Sequence, residues 1–338
     1  MVADASFAFP EQPVPLYWNG LLLRVPPSWT PAVLDKYYLL VEDDQGPVME
    51  VKWGWVRGKL SFDKVFQKLS KELKGAEFFS GDEGEPQDPS GRDDSKPAGE
   101  AVPRPWAQAV AELEMRMAEQ EVRARPIFWR VRDHLESELP AKNITAGRGA
   151  VVHSSVSGLA WMIQFYEAGG RSVVEDAIAI LHSLQNPDPN HWLPWELFGI
   201  RFRTPPWLEL AAHSFKAGRY RLEFKNRGWK SPTRLVLERI APARAVLKGQ
   251  GLREWAEAYY AKELGSLRAL DTTRSSVEVR WQKPPSGWTR RGSRAFIRLS
   301  EDGRMILAMF LLQARLAELN EFGSIGNTYA TIPRHEGG

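Results

Sequence analysis

Apolar and polar residues alternate along several short stretches of the chain, which is the pattern of β-strands with two different faces. In residues 219–225, tyrosine, leucine and phenylalanine alternate with charged side chains, and the same two-residue period runs through residues 20–25 and 199–204. Successive side chains of a strand point to opposite sides of its sheet. We therefore expect antiparallel sheets that pack one face on a core and leave the charged face in solvent.

Two other stretches follow the helical period. Residues 61–73 place apolar side chains on one stripe, among them Phe62, Phe66 and Leu69, and residues 252–264 do the same. Apolar residues spaced three and four positions apart predict amphipathic helices. Each helix is expected to pack on the apolar face of the sheet that precedes it.

A short motif occurs twice, as G-x-x-x-R-x-P-P at residues 20–27 and again at residues 199–206. A tryptophan follows each copy, Trp29 and Trp207, and strand-like runs and one amphipathic helix come next. A pattern found twice indicates two similar units rather than a solenoid, which needs three or more repeats. The predicted fold class is α+β, with two duplicated units that are each an antiparallel twisted sheet packed against amphipathic helices.

The order of these elements resembles the Mog1/PsbP-like α+β fold, here in tandem. The resemblance consists of a β-hairpin that ends in the Pro-Pro motif, a further strand pair, an amphipathic helix and more antiparallel strands. It implies a role in binding or assembly, since proteins with that fold mostly have such roles. It carries over no catalytic residue, because a fold alone does not imply a function.

The predicted domain organisation has a first unit over residues 1–190 and a second, basic unit over residues 191–330. The first unit includes a flexible acidic insertion at residues 81–105, which has almost no large apolar side chain to bury. A helical excursion is predicted at residues 106–140. Residues 331–338 are expected to form a mobile tail.

The composition narrows the chemistry. The chain has no cysteine among its 338 residues, so disulfides and thiolate metal sites are excluded. The longest apolar run, residues 305–312, is far shorter than the roughly 20 residues of a membrane helix. The N-terminus shows no basic and apolar run typical of a secretory signal. We expect a cytoplasmic protein without a membrane segment.

Charge is unevenly distributed. Residues 195–338 hold 25 Lys and Arg against 14 Asp and Glu, a net charge of +11, and the total of +3 leaves −8 for residues 1–194. Basic residues interleaved with tryptophan are typical of surfaces that bind phosphate backbones. An acidic protein surface, the chain's own acidic insertion and an ordinary solvated face are the alternatives. The candidate binding residues are Arg219, Arg221, Lys225, Arg227, Trp229, Lys230, Lys283, Trp288, Arg290, Arg291 and Arg294.

The 14 tryptophans have two interpretations. Trp53 and Trp55 share one face of a predicted strand, where they fill a core or form a stacking platform for sugars or bases. The tryptophans of residues 191–195 are predicted to pack at the junction between the two units.

No motif indicates catalysis. The sequence has neither a phosphate-binding loop nor a dinucleotide-binding motif, and its six histidines lack metal-ligand spacing. We therefore predict no catalytic, cofactor or metal site. An enzyme remains the weaker alternative, with a pocket near Trp161, His182 and His191.

The favoured hypothesis is a non-enzymatic binding or assembly protein whose partner is another protein. It would bind through the groove between the units or through the basic face of the second unit. The alternative is a protein that binds single-stranded nucleic acid or its backbone through the basic C-terminal half.

Overall fold

The computed structural model describes residues 12–73, 76–80, 103–131, 144–168, 171–226, 233–270, 277–286 and 290–332. Contacts divide the chain into two compact units, unit 1 (Met1–Asp188) and unit 2 (Pro189–Gly338). Strands account for 50% of the described residues and helices for 25%. The predicted fold class, α+β with two duplicated units, is therefore wrong: the protein is mostly β and consists of antiparallel sheets.

Unit 1 contains a β-hairpin, a large sheet and helices. Its described helices are α1 (Phe62–Glu72), α2 (Arg104–Arg116) and α3 (Val174–Ser183). Its described strands are β1 (Val14–Trp18), β2 (Leu21–Val25), β3 (Thr30–Asp35), β4 (Tyr38–Asp43), β5 (Gly46–Trp55), β6 (Ala76–Ser80), β7 (Val122–Val131), β8 (Ile144–Ser154) and β9 (Leu159–Ala168).

Both faces of the large sheet in unit 1 are covered. Within the described residues its seven strands run in the order β3-β4-β5-β9-β8-β7-β6. Helix α1 buries Phe66 and Leu69 against one face, as its apolar stripe predicts, and the Ser61 side chain caps its first turn. On the other face, Trp106 of α2 packs edge-on against Phe165 of β9.

The predicted helical excursion at residues 106–140 is only partly confirmed. Helix α2 ends at Arg116, and residues 122–131 form strand β7 instead of a second helical stretch. Residues 122–125 of β7 alternate apolar with arginine, but Ile127 and Val131 lie four residues apart, which is the spacing of a helical stripe and led to the helix prediction. Residues 132–143 lie outside the described part of the chain, as do residues 81–102 of the predicted acidic insertion.

Unit 2 also contains a β-hairpin, a large sheet and helices. Its described helices are α4 (Ala243–Leu247), α5 (Leu252–Tyr259), α6 (Ala261–Leu264), α7 (Leu316–Asn320) and α8 (Phe322–Thr328). Its described strands are β10 (Leu193–Leu197), β11 (Ile200–Thr204), β12 (Leu208–Lys216), β13 (Arg219–Asn226), β14 (Arg234–Ile240), β15 (Arg268–Ala269), β16 (Glu278–Ser286), β17 (Arg291–Leu299), β18 (Ile306–Arg315) and β19 (Ala330–Thr331).

The large sheet of unit 2 has the order β12-β13-β14-β18-β17-β16-β15 among the described strands. Trp255 and Tyr260 of the α5–α6 region pack with Phe310 on one face. On the other face, Trp195 of β10 contacts Phe224 of β13, with 5.0 Å between the ring centroids. The expectation that one face of this sheet is solvated is wrong, because helices cover one face and the β10–β11 hairpin and α8 cover the other.

The two copies of the G-x-x-x-R-x-P-P motif lie in corresponding places. Gly20 and Gly199 each end a tight hairpin turn with positive φ, and strands β2 and β11 follow them directly. Two residues at the start of the predicted mobile tail are held in place: Thr331 pairs with Ile200 as part of β19, and the Ile332 N–H donates to the Gly199 carbonyl at 2.9 Å. Residues 333–338 lie outside the described chain. Among the described helices, none has the length and apolar character needed to cross a membrane.

Candidate functional site

The candidate binding residues of unit 2 fall into two groups at opposite ends of strand β13. Arg219 and Arg221 lie at its beginning, and Lys225 lies near its end. Lys283, Arg290, Arg291 and Arg294 belong to the β16–β17 region. Arg227, Trp229, Lys230 and Trp288 lie outside the described residues.

Arg219 and Arg221 both pair with acidic residues of unit 2, and the Arg219 side chain is 44% exposed. Both bind the carboxylate of Glu238 on the neighbouring strand β14, and Arg221 Nη1 lies 2.7 Å from Glu238 Oε2. Glu238 itself is 0% exposed. Arg221 also reaches Glu263 of α6 at 3.3 Å, and the Arg219 guanidinium lies over the ring of Tyr259. The main contacts of these two arginines therefore compensate the buried negative charge of Glu238.

The second group lies at one edge of the large sheet of unit 2, where β13 and β18 end and β14 and β17 begin. Asn226 and Thr233 bracket the β13–β14 loop, and the Asn226 N–H donates to the Thr233 carbonyl at 3.3 Å. Arg291 stands at the start of β17, just after the β16–β17 loop. Its Nη1 donates to Thr233 Oγ1 at 3.2 Å and to the Gln313 carbonyl at 2.7 Å. We call this region the loop end, comprising residues 225–226, 233–234, 290–291 and 313–318.

A buried glutamate holds the loop end together. Glu318 of α7 is 9% exposed and accepts hydrogen bonds from Asn226 Nδ2 at 2.9 Å and Thr233 Oγ1 at 2.7 Å. It also accepts the backbone N–H of Arg315 at 2.7 Å. Glu318 therefore holds both sides of the β13–β14 loop, and the bond from Arg291 to Thr233 joins the base of the β16–β17 loop to it.

The rim of the loop end is basic and partly apolar. The Lys225 side chain is 60% exposed and only loosely paired with Glu223, at 3.9 Å. Arg290 and Arg315 are exposed, and Arg234 lies 3.4 Å from Glu223. An exposed ion pair of this kind contributes little stability, so these cations are available to another anion. Leu316 is 60% exposed beside them.

The remaining candidate residues support this region from inside. Arg294 donates to the carbonyl of Leu319 near the end of α7, at 3.0 Å. Lys283 is half-buried on β16 opposite Ser293, whose hydroxyl accepts the N–H of Gln313. Sequence reasoning missed Thr233 and Glu318. The available signal for Glu318 was its place three residues after Arg315, the N3 position of a helix.

Unit 1 contains a second buried glutamate, which sequence reasoning also missed. Glu50 lies in β5 and is 8% exposed. It accepts a hydrogen bond from the Tyr166 hydroxyl, and Lys52 Nζ lies 3.0 Å from its carboxylate. Burial and the Glu50 charge raise the pKa of Tyr38 to about 12, and the same two causes hold the pKa of Tyr166 well above its usual range. This network has a structural character, since the hydrogen-bonding groups of Glu50, Tyr166 and Lys52 bind one another.

The residues predicted to form a stacking platform or an enzyme pocket do not form one site in the described structure. Trp53 is buried and Trp55 is 44% exposed, so these two rings do not form one exposed platform. His182 Nε2 lies 3.2 Å from Glu112, and burial is the largest cause that lowers the pKa of His182. Trp161 is buried in β9, and His191 belongs to unit 2. Within the described ranges, no cluster of three or more His, Asp and Glu side chains could hold a metal ion.

Comparison with known proteins does not assign this chain to a family. No known protein-family model matches this chain, and no curated protein matches it. The resemblance to the Mog1/PsbP-like fold gains no support from these comparisons. Functional inference therefore depends on the contacts of the chain's own residues.

Proposed function

We propose that the protein is a non-enzymatic binding or assembly protein that recognises an acidic surface of another protein through the loop end of unit 2. The observation that carries this proposal is the hydrogen bond from Arg291 to Thr233. It joins the bases of two loops that are distant in sequence and that both contain basic residues and a tryptophan.

Preorganisation supports the proposal. The anchoring network of Glu318, Thr233, Asn226 and Arg291 is made of short hydrogen bonds between partly or fully buried groups. A rigid base reduces the ordering cost that a binding surface pays on association. Exposed Lys225, Arg290 and Arg315 then provide cations around that base.

An acidic protein is favoured over nucleic acid because of the mixed character of the rim. Leu316, 60% exposed, offers apolar contact beside the cations, and Glu223 lies among them. Protein interfaces combine an apolar centre with a polar rim. Single-stranded nucleic acid is the second candidate, supported by the net charge of +11 over residues 195–338. It predicts affinity that falls steeply with salt concentration.

The test uses the full chain and two fluorescein-labelled probes, an oligoglutamate peptide that also contains leucine and an oligothymidylate. A loop-end triple variant, Lys225→Gln, Arg290→Gln and Arg315→Gln, is compared with a matched triple, Arg244→Gln, Lys248→Gln and Lys262→Gln. The matched triple removes three exposed cations, Arg244 of α4, Lys248 at the C-terminal end of α4 and Lys262 of α6. Fluorescence anisotropy is recorded at low and high salt.

The proposal predicts that the oligoglutamate peptide binds the unmodified chain and the matched triple equally, and binds the loop-end triple about tenfold more weakly, as expected for the loss of about 1.4 kcal/mol. Stronger binding of oligothymidylate, with the same loss in the loop-end triple, would support the nucleic-acid candidate instead. Equal affinity of both triples for the peptide contradicts the proposal.

A further inference from the structure

An open groove lies on the surface of unit 1. Its volume is about 720 Å³. It runs between the C-terminal half of α2, the turn that follows it, and the start of β7. The volume lies within the range of pockets that bind small molecules, about 300–1,000 Å³, which is enough space for one or two side chains of a partner.

The floor of this groove is apolar and accessible. Ala111, Met115 and Ala118 project from successive turns of α2 and the 3₁₀ turn after it, and Val122 follows at the start of β7. The Met115 side chain is 69% exposed, the largest value among the exposed large hydrophobic residues of the described chain. Exposed methionine is common on surfaces that bind apolar side chains, because its flexible thioether adapts to different shapes.

The walls of the groove are mainly acidic. Glu114 lines it, and its Oε2 accepts the N–H of Ala124 at 3.2 Å, which fixes the orientation of the carboxylate. Glu121 lines it from the exposed end of the 3₁₀ turn, and Glu119 of that turn is exposed next to it. Arg123 is the basic residue of the lining. Two carboxylates against one guanidinium in the lining, with the carboxylate of Glu119 at its edge, favour a cationic occupant.

We infer that this groove binds a segment of another protein that carries an apolar side chain next to lysine or arginine. The apolar side chain contacts Met115 and the two alanines, and the cation lies beside Glu114 and Glu121. Complementary charge sets specificity and speeds association more than it adds affinity. This inference does not depend on the loop end, since it concerns different residues and a partner segment of opposite charge.

The test uses the full chain with [methyl-13C]methionine and a synthetic peptide that alternates lysine with leucine. The matched probe has glutamate in place of lysine. Met115→Leu assigns the Met115 methyl signal, and buried Met309 serves as an internal reference. Two groove variants, Ala111→Lys and Glu121→Gln, are compared with Ala258→Lys, which alters an equally exposed helical alanine in unit 2.

The inference predicts that the lysine-leucine peptide shifts the Met115 methyl signal and leaves the Met309 signal in place. It also predicts that the glutamate-leucine peptide does not shift Met115. Ala111→Lys, which fills the floor and adds a like charge, weakens binding about tenfold, and Ala258→Lys leaves it unchanged. A Met115 signal that does not move, or one that moves equally with both peptides, overturns the inference. Unchanged binding by both groove variants does so too.

Discussion

At the scale of the residue, the most informative side chain is Glu238. A carboxylate that is 0% exposed would be strongly destabilising without compensating charges. Arg219 and Arg221 on the adjacent strand provide them, and the hydroxyl of Tyr329 donates to the Glu238 carbonyl at 2.8 Å. The same residues that give unit 2 part of its positive charge are therefore required by its interior.

Replacing this carboxylate tests that role. We expect Glu238→Gln to lower the free energy of unfolding by about 3 kcal/mol, because two guanidinium groups lose their shared anion. Glu254→Gln, at an exposed position on α5, should change it by less than about 0.5 kcal/mol. Urea denaturation measures both. Equal effects of the two substitutions would show that the buried ion cluster contributes nothing specific.

Tyr38 gives a prediction about alkaline pH. Its pKa is raised from 10.0 to about 12 by burial and by Glu50. A raised pKa in the folded state contributes stability that is fully present below pH 10.0 and is lost as the pH rises towards 12. We expect Tyr38→Phe to flatten the fall of stability across this window. Urea denaturation just below and well above pH 10.0 measures it, and an unchanged slope contradicts the assignment.

At the scale of the element, the large sheet of unit 1 requires close packing between the neighbouring strands β7 and β8. Gly147 of β8 lies under the indole of Trp129 on β7, and a Cβ added at Gly147 would lie 2.4 Å from that ring. The Trp129 Nε1 in turn donates to Gln164 at 3.3 Å. The absence of a side chain at Gly147 is thus what allows the indole to reach its partner.

An alanine at this position should therefore be costly. We predict that Gly147→Ala lowers the free energy of unfolding by about 1–3 kcal/mol through overpacking. Gly54 of β5 is the control, because nothing lies within 4 Å of a Cβ added there. Gly54→Ala should be neutral or slightly stabilising. The two melting temperatures give the comparison, and similar shifts would contradict this account of the strand contact.

The loop end depends on a single hydroxyl. Thr233 Oγ1 donates to Glu318 at 2.7 Å and accepts from Arg291 at 3.2 Å. We expect Thr233→Val to cost about 1–3 kcal/mol, since it leaves a buried carboxylate short of a donor, and to weaken binding of the oligoglutamate peptide. Thr233→Ser, which keeps the hydroxyl, should restore both. If serine binds no better than valine in the anisotropy measurement, the hydroxyl does not organise the site.

The sequence predicted the elements in which apolar residues follow a regular helical or strand period. It did not predict features that depend on burial or on which strands pair. Helix α1 and its Ser61 cap follow directly from spacing. Strand β7 was mistaken for helix, because Ile127 and Val131 have helical spacing and the buried stretch from Ile127 to Trp129 does not alternate. The pairing of Arg219 and Arg221 with Glu238 was not predicted, because only strand pairing brings this acid beside them.

The loop end shows the same limit. Its basic residues are visible in the sequence, but their meeting point is not. The β13–β14 and β16–β17 loops are close only because β14 pairs with β18 and β18 with β17, an order that no local pattern encodes.

At the scale of the whole molecule, charge is divided along the chain, with −8 in residues 1–194 and +11 in residues 195–338. The two proposed binding surfaces follow this division: the groove of unit 1 is mainly acidic and the loop end of unit 2 is basic. A protein of this kind would recognise a basic and apolar segment with one unit and an acidic surface with the other. Net charge affects how a protein associates with its partners and not which fold it adopts. Binding experiments therefore test whether the two surfaces select partners of opposite charge.

The central claim, that the loop end recognises an acidic protein, is tested most directly by quantitative affinity enrichment from nuclease-treated native lysate. Immobilised full chain, the loop-end triple variant and the matched triple variant are compared by mass spectrometry. The account predicts at least one acidic protein that the unmodified chain and the matched triple retain and the loop-end triple loses. If every enriched protein is retained equally by all three, the claim is contradicted.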